Sequence, residues 1–464
     1  MMQITKPPAE YGDRFEFGAL TGATNAAAGI RGAGVVMHAV QGCTIESSHL
    51  RSSGPVVAGY YLPQIETNIG PVESVHGRNV PLIVDRAKEL MRRRDKPELM
   101  FIFTGDGPSI IEDDIARAAA IIEEENSIPA IARDTAAFLG GFARGIEWVL
   151  CDVMDRFCTE SEEKSGINVV GPQLTGSNNW PNDIEEIKRL LKGSGVQLNH
   201  ILFQDIRVKQ LPEISRARSN LLLTLEDYSE FEEHCEDLGM EVFGQDLPIP
   251  LGVHNTEEWL LAIAKEFGDE EKARAQMKAD MDLVKRMTRM NYTASWMLTA
   301  MFGKHTAMLG QAPFAAALAR SMFYDFNIRP VVVGLLAESS ESLERAEKLM
   351  EPMGEYIDFE VMENPTYFQY GETVRKAGVD FAVGMRQDEH LIEGLGIPHL
   401  SLAGPNFMNH WDLFPWPYLG IRGSLYLAGE LWKTTWRTFT QTKLWQMNAY
   451  RPRDYAEAKA IYEA

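Results

Sequence analysis

The chain has 464 residues, 45% hydrophobic and 24% charged, the make-up of an ordinary globular protein large enough for about three packed units. Lysine and arginine number 45 against 66 aspartates and glutamates, a formal charge of −21, which argues against a nucleic-acid backbone as ligand and suits steering of a charged partner. Met1–Asp13 is polar with no apolar leader core, and no run approaches about 18 uninterrupted apolar residues, so a cytoplasmic protein with no membrane contact is expected.

Short apolar runs alternate with amphipathic stretches along the whole chain. Gly34–Ala39 is a buried strand. Leu99–Phe103 is another, followed by the loop Thr104–Ser109 and a helix from about Ile110 to Glu124. Ile128–Ala132 and Gly166–Val170 follow as strands. Asp183–Lys192 is a helix that Gly193 stops. Leu221–Leu225 precedes a helix from about Tyr228, and the charged segment Asp269–Arg289 is a connecting helix. Lys304–Leu309 leads through Gly310-Gln311-Ala312-Pro313 into a helix to about Asp325. Ile328–Gly334, Phe381–Val383 and His399–Leu402 complete the set. This alternation predicts an α/β fold of three Rossmann-like parallel-sheet units, at residues 1–165, 166–290 and 291–464.

Ligands of such sheets sit at the carboxyl ends of the strands. The exit loops are therefore the places to search: Val40–Ser48, Thr104–Ser109, Gly171–Trp180, Leu309–Pro313, Gly384–Glu389 and Ala403–Trp416. The four cysteines, Cys43, Cys151, Cys158 and Cys235, include no C-x-x-C pair, so any metal site needs other ligand types or a second chain. Cys43, in His38-Ala39-Val40-Gln41-Gly42-Cys43-Thr44, is either a structural cysteine or a thiolate presented by a loop. Cys151 and Cys158 lie two turns apart on an expected helix, Glu147–Cys158, and read as core, as does Cys235. Leu309–Phe314 lacks both G-x-G-x-x-G and a P-loop lysine, so direct nucleotide binding is not expected.

Several segments, in collinear order, resemble the nitrogenase component 1 family. Phe17–Cys43 is similar to its N-terminal block, whose β-type members end a strand in histidine–glycine–x–Gln-Gly-Cys; here Ala39 replaces the first glycine. Thr104–Asp114 resembles a segment of threonines, a cysteine and a later acidic pair, here Asp113-Asp114. Phe138–Gly145, Gly371–Phe407 and His410–Gly423 resemble further family segments, the last ending in Tyr418-Leu419-Gly420-Ile421-Arg422-Gly423.

The departures matter as much. Of the three cysteines with which β-type nitrogenase chains hold the P-cluster, only Cys43 is present. The second would fall in the cysteine-free Tyr60–Gly77, and the third on Asp106. The arginine- and histidine-rich stretch expected after the cysteine is replaced by Glu46–Gly54. The cofactor cysteine of α-type chains would fall near Leu225–Glu226, and Asn409 stands where their cofactor histidine would align, with His410 one residue off. The aromatic loop Gly404–Trp416 therefore reads as a packing surface at a subunit interface.

The resemblance implies a β-type subunit of a nitrogenase-like reductase. It implies an iron–sulfur cluster shared with a partner chain, four-iron or P-cluster-like with the four-iron kind favoured, with Cys43 as metal ligand and Asp106 as either a further ligand or a helix cap. The implied partners are an α-type subunit, in an α2β2 heterotetramer, and a separate ATP-hydrolysing iron protein. Reductive C–S cleavage of methylthio-alkanes is the candidate reaction. The alternative is the β-type half of a scaffold on which a nitrogenase cofactor is assembled.

Overall fold

The computed structural model describes residues 2–5, 17–45, 62–77, 79–177, 179–290, 301–404 and 416–438. Among them stand three larger parallel sheets with helices packed on their faces, the α/β architecture that the alternation predicts, and a two-stranded parallel pair of Ile30–Arg31 with Ile206–Arg207. The first sheet runs in the order Gln64–Glu66, Ala33–His38, Leu99–Thr104, Ala130–Arg133. Its two central strands are buried at every position, because apolar runs covered on both faces need no polar alternation. The second sheet is ordered Glu241–Phe243, Ser219–Leu222, Ile167–Val170, Leu198–Ile201.

The third sheet has six strands: Met2–Thr5, Phe359–Glu363, Arg329–Leu336, His305–Gln311, Phe381–Gly384 and His399–Ser401. Its first strand comes from the opposite end of the chain, pairing Met2 with Phe359 and Thr5 with Met362. The chain's opening strand thus joins the third sheet, although the sequence groups residues 1–165 as one unit. The packing also crosses unit lines. One core joins side chains of the first and second sheets, and another joins the second and third.

Helix Ala19–Ala28 and helix Phe142–Phe157 cross so closely that their backbones touch. A Cβ on Gly22 would stand 1.9 Å from the Phe142 carbonyl oxygen, and one on Gly145 would stand 2.2 Å from that of Ala19. The expected helix over Ile110–Glu124 is two helices, Asp106–Ile110 and Ile115–Asn126. Glu112 takes the left-handed conformation (φ 54°) between them, and Asp114 caps the second by accepting from the Arg117 N–H at 2.9 Å. Helix Phe142–Phe157 ends one residue before Cys158, whose backbone is extended, so Cys151 and Cys158 do not share the helix expected to carry both.

Candidate metal centre

Cys43 follows strand Ala33–His38 in a single helical turn over residues 41–45. The Thr44 N–H donates to the Val40 carbonyl at 3.3 Å, and its hydroxyl donates to the Gln41 carbonyl at 3.0 Å. The cysteine is half-buried and packs on the edge of the core shared by the first two sheets. Beside it lies the exit loop of the neighbouring strand. The Gly105 N–H donates to the His38 carbonyl at 3.0 Å, and a Cβ on Gly105 would stand 2.8 Å from that of Ala39 and 3.7 Å from that of Cys43. Glycine is required at residue 105 by space, since its φ of −95° is open to any residue.

The register of the two strands therefore brings Gly105, the residue before Asp106, against Cys43. Asp106 opens the short helix Asp106–Ile110, so it is not a cap for a helix beginning near Ile110. Its Oδ1 accepts from the Ala137 N–H at 2.7 Å, which ties this loop to the next one. Asp134 braces the same two loops, accepting from the hydroxyls of Thr104 at 2.5 Å and Ser109 at 2.6 Å. On the loops at this end of the sheet Val40, Ile45, Val72, Val75 and Ile110 leave apolar side chains exposed. Exposed apolar side chains on loops that neighbour a half-buried thiol suit an interaction surface. Among the described residues no group of three histidines, cysteines or carboxylates could hold a metal ion.

The other cysteines have different surroundings. Cys151 and Cys235 are buried, and burial drives both thiols far above their ordinary range. Cys158 is pushed up to about 11 by the same cause and donates to the Leu211 carbonyl at 3.4 Å. Such thiols are inert packing groups.

Beneath Cys43 lies a network that the sequence does not announce. His38 is fully buried, with Nε2 at 2.8 Å from Asp113 Oδ2 and Nδ1 at 3.0 Å from the Thr67 hydroxyl. Asp113 also accepts from Asn79 Nδ2 at 2.7 Å. Burial pushes the His38 imidazole below its ordinary value, against the pull of Asp113. A neutral ring satisfies both contacts, donating from Nε2 to the carboxylate and accepting at Nδ1 from Thr67. Thr67 and Asn68 fall in the stretch that the sequence marks only as lacking a cysteine.

A second concavity, of about 660 Å³, lies where the strand ends of the third sheet meet the other two units. Gln311, Glu226, Glu338, Asn364 and Tyr367 are among its lining, which includes no cysteine or histidine among the described residues. Glu226 accepts from the N–H groups of Glu338 (3.1 Å) and Ser339 (3.0 Å) and from the Ser339 hydroxyl (2.8 Å). Glu338 in turn accepts from the N–H groups of Ala143 at 2.7 Å and Arg144 at 3.2 Å, at the start of helix Phe142–Phe157. Each carboxylate thus neutralises a helix N-terminus. Asn409, His410 and most of the aromatic loop lie outside the described residues, as does Glu46–Gly54. Both ends of that aromatic loop are pinned to the second unit. The Gly404 N–H donates to the Gly176 carbonyl at 2.7 Å, and Asn179 Nδ2 donates to that of Trp416 at 2.7 Å.

Residues 19–435 match the family model described as nitrogenase component 1 type oxidoreductase. A chain of the light-independent protochlorophyllide reductase of Heliobacterium modesticaldum is 23% identical over 377 residues, covering 79% of this chain and 68% of that one. The corresponding chain of Anthoceros angustus is 21% identical over 365 residues, covering 74% and 69%. That of Synechocystis sp. is 25% identical over 280 residues, covering 58% and 52%. A solved structure titled nitrogenase Cp1 at pH 6.5 superposes with a TM-score of 0.76 at 17% identity, over 98% of each chain. That likeness shows the shared fold.

Proposed function

The chain belongs to the nitrogenase component 1 type oxidoreductases, and on that premise we propose that it is the β-type subunit of an ATP-driven two-component reductase. The family implies iron–sulfur clusters, a partner chain and an iron protein. In this reading an α-type chain completes the site at Cys43 in an α2β2 assembly in the cytoplasm. A separate iron protein hydrolyses the ATP. No helix among the described residues is long and apolar enough to cross a membrane.

The observation that carries the reading is a half-buried thiol at a strand end of the first sheet, among loops that leave apolar side chains exposed. Thiolate is the soft donor that iron–sulfur clusters take, and Cys43 is the residue that would hold one edge. When bound, the cluster, of the four-iron kind, supplies one-electron transfer between the iron protein and the partner's catalytic site. Asp106, on the exit loop next to that of Cys43, would be a second, harder donor. Its Oδ1 accepts from the Ala137 N–H, and the carboxylate keeps lone pairs with which to ligate.

The test is anaerobic purification of the complex with its α-type partner, carrying wild-type chain or Cys43→Ser. Iron and a cluster spectrum in the wild type, lost or altered in the variant, are expected; full iron with an unchanged spectrum in Cys43→Ser overturns the reading. Turnover with iron protein and ATP, against release of a cluster to apo-nitrogenase, separates the reductase from the assembly scaffold. The relatives above are named for protochlorophyllide. Turnover assays therefore take that substrate beside the methylthio-alkanes whose reductive C–S cleavage remains our candidate reaction.

A further inference from the structure

We propose that His38, clamped between Asp113 and Thr67, is the positioning residue that sets the Cys43 loop against the loop of Asp106. The idea rests on the function proposed above for its consequence at a cluster, and on geometry alone for its effect on Cys43.

Three exit loops of the first sheet, far apart in sequence, meet at one imidazole. His38 ends its own strand, Thr67 follows strand Gln64–Glu66, and Asp113 follows strand Leu99–Thr104 and its short helix. The ring is wholly buried, and Asp113 is nearly so. Asn79, at the start of helix Val80–Met91, holds the same Asp113 oxygen, which fixes the carboxylate a second time. A carboxylate that accepts from Nε2 fixes the tautomer, and the tautomer makes Nδ1 an acceptor for Thr67.

Two arms lead from this ring to Cys43. The first passes through Thr67. Its neighbour Asn68, left-handed at φ 51°, has Oδ1 3.3 Å from the Thr44 hydroxyl, whose one proton is shared between it and the Gln41 carbonyl, and the Ile69 N–H donates to the Ala39 carbonyl at 3.1 Å. The second passes through the His38 carbonyl, which accepts from the Gly105 N–H and holds that glycine against Ala39 and Cys43. Loosening the ring releases both arms at once. An apolar or amide group at residue 38 would leave Asp113 or Thr67 without its buried partner, and a buried polar group left unsatisfied drives local opening.

The other three cysteines make the test internal. In the full chain freed of iron, site-resolved alkylation followed by mass spectrometry reads Cys43 against Cys151, Cys158 and Cys235. His38→Gln and the near-isosteric Thr67→Val are expected to speed Cys43 about fivefold while the other three stay as slow as in the wild type. Thr67→Ser, which keeps the hydroxyl, is expected to restore the wild-type rate. A uniform rise at all four thiols, or an unchanged Cys43 in both variants, overturns the proposal. In the assembled complex His38→Gln is expected to shift the cluster's spectrum at undiminished iron content. A wild-type complex without iron would sink the functional reading and leave the alkylation result to decide this one.

Discussion

The carboxyl ends of the first and third sheets occupy equivalent positions in equivalent folds, yet they are finished in opposite ways. At the end of the third sheet two carboxylates beside the cavity are satisfied within the chain. Glu226 and Glu338 each take the N–H groups of a helix start, and the cavity they line includes no sulfur from cysteine among the described residues. At the end of the first sheet a thiol stands half-buried, among loops that leave apolar side chains exposed. Topology names the places where a ligand can sit, while residue type tells the two places apart, since the polar groups at both strand ends are paired within the chain. The third-sheet end carries carboxylates on helix starts and acts as a joint; the first-sheet end carries a half-buried thiol among loops with exposed apolar side chains.

This contrast can be broken by measurement. Glu226→Leu should have the largest effect on stability, because it removes a buried carboxylate that holds the N–H groups of Glu338 and Ser339 and the Ser339 hydroxyl at a helix start. A loss of about 3 kcal/mol in urea unfolding is expected. A loss below about 1 kcal/mol would show that the junction is not a joint of this kind.

The pH dependence comes next. Burial raises the Glu147 carboxyl to about 7, opposed by the Phe231 N–H and by Arg144. The folded state therefore binds this proton more tightly than the unfolded chain, whose glutamate titrates near 4.5. That contribution is fully present below pH 4.5 and is lost as pH rises through about 7. A fall of roughly 2–3 kcal/mol across that window is expected, and Glu147→Gln should flatten it. An unchanged slope in the variant would assign it to another group, Asp183 being the next to examine, since burial raises it to about 6.

Asp106→Ala removes one hydrogen bond to a loop and should cost about 1 kcal/mol. In the complex, unchanged iron and spectrum in that variant would remove Asp106 as a ligand. Cys43→Ala should be the mildest of all in the isolated chain, below about 1 kcal/mol by thermal or urea unfolding, since the side chain is only half-buried. The same substitution should be the most damaging to iron binding in the complex. A large stability loss from Cys43→Ala would make it a structural cysteine, and the contrast between the two strand ends would fail.

The central strands are legible because burial on both faces writes a continuous apolar run. Leu99–Phe103 and Phe381–Val383 fall within a residue of the observed Leu99–Thr104 and Phe381–Gly384. Edge and polar strands are not legible. Phe359–Glu363 reads FEVME and Leu198–Ile201 reads LNHI, patterns that loops share. The break at Glu112 is also hidden, since nothing in a helical run marks one residue that turns left-handed. Of the site, Cys43 and Asp106 stand out by residue type and place. His38, Asp113 and Asn79 do not, because each is an ordinary polar residue until its partner is known.

The sequence by itself determined the α/β class, the strand-end loops worth searching and the lone thiol among them, since these follow from local hydrophobic period and from the scarcity of cysteine. Only the tertiary structure decided that Met2–Thr5 completes the third sheet, that Glu226 and Glu338 close the junction, and that residues 38, 67 and 113 meet at one ring. The reason is physical. A parallel strand needs a long crossover to reach its neighbour, so groups that touch at the strand ends are tens of residues apart and leave no local pattern.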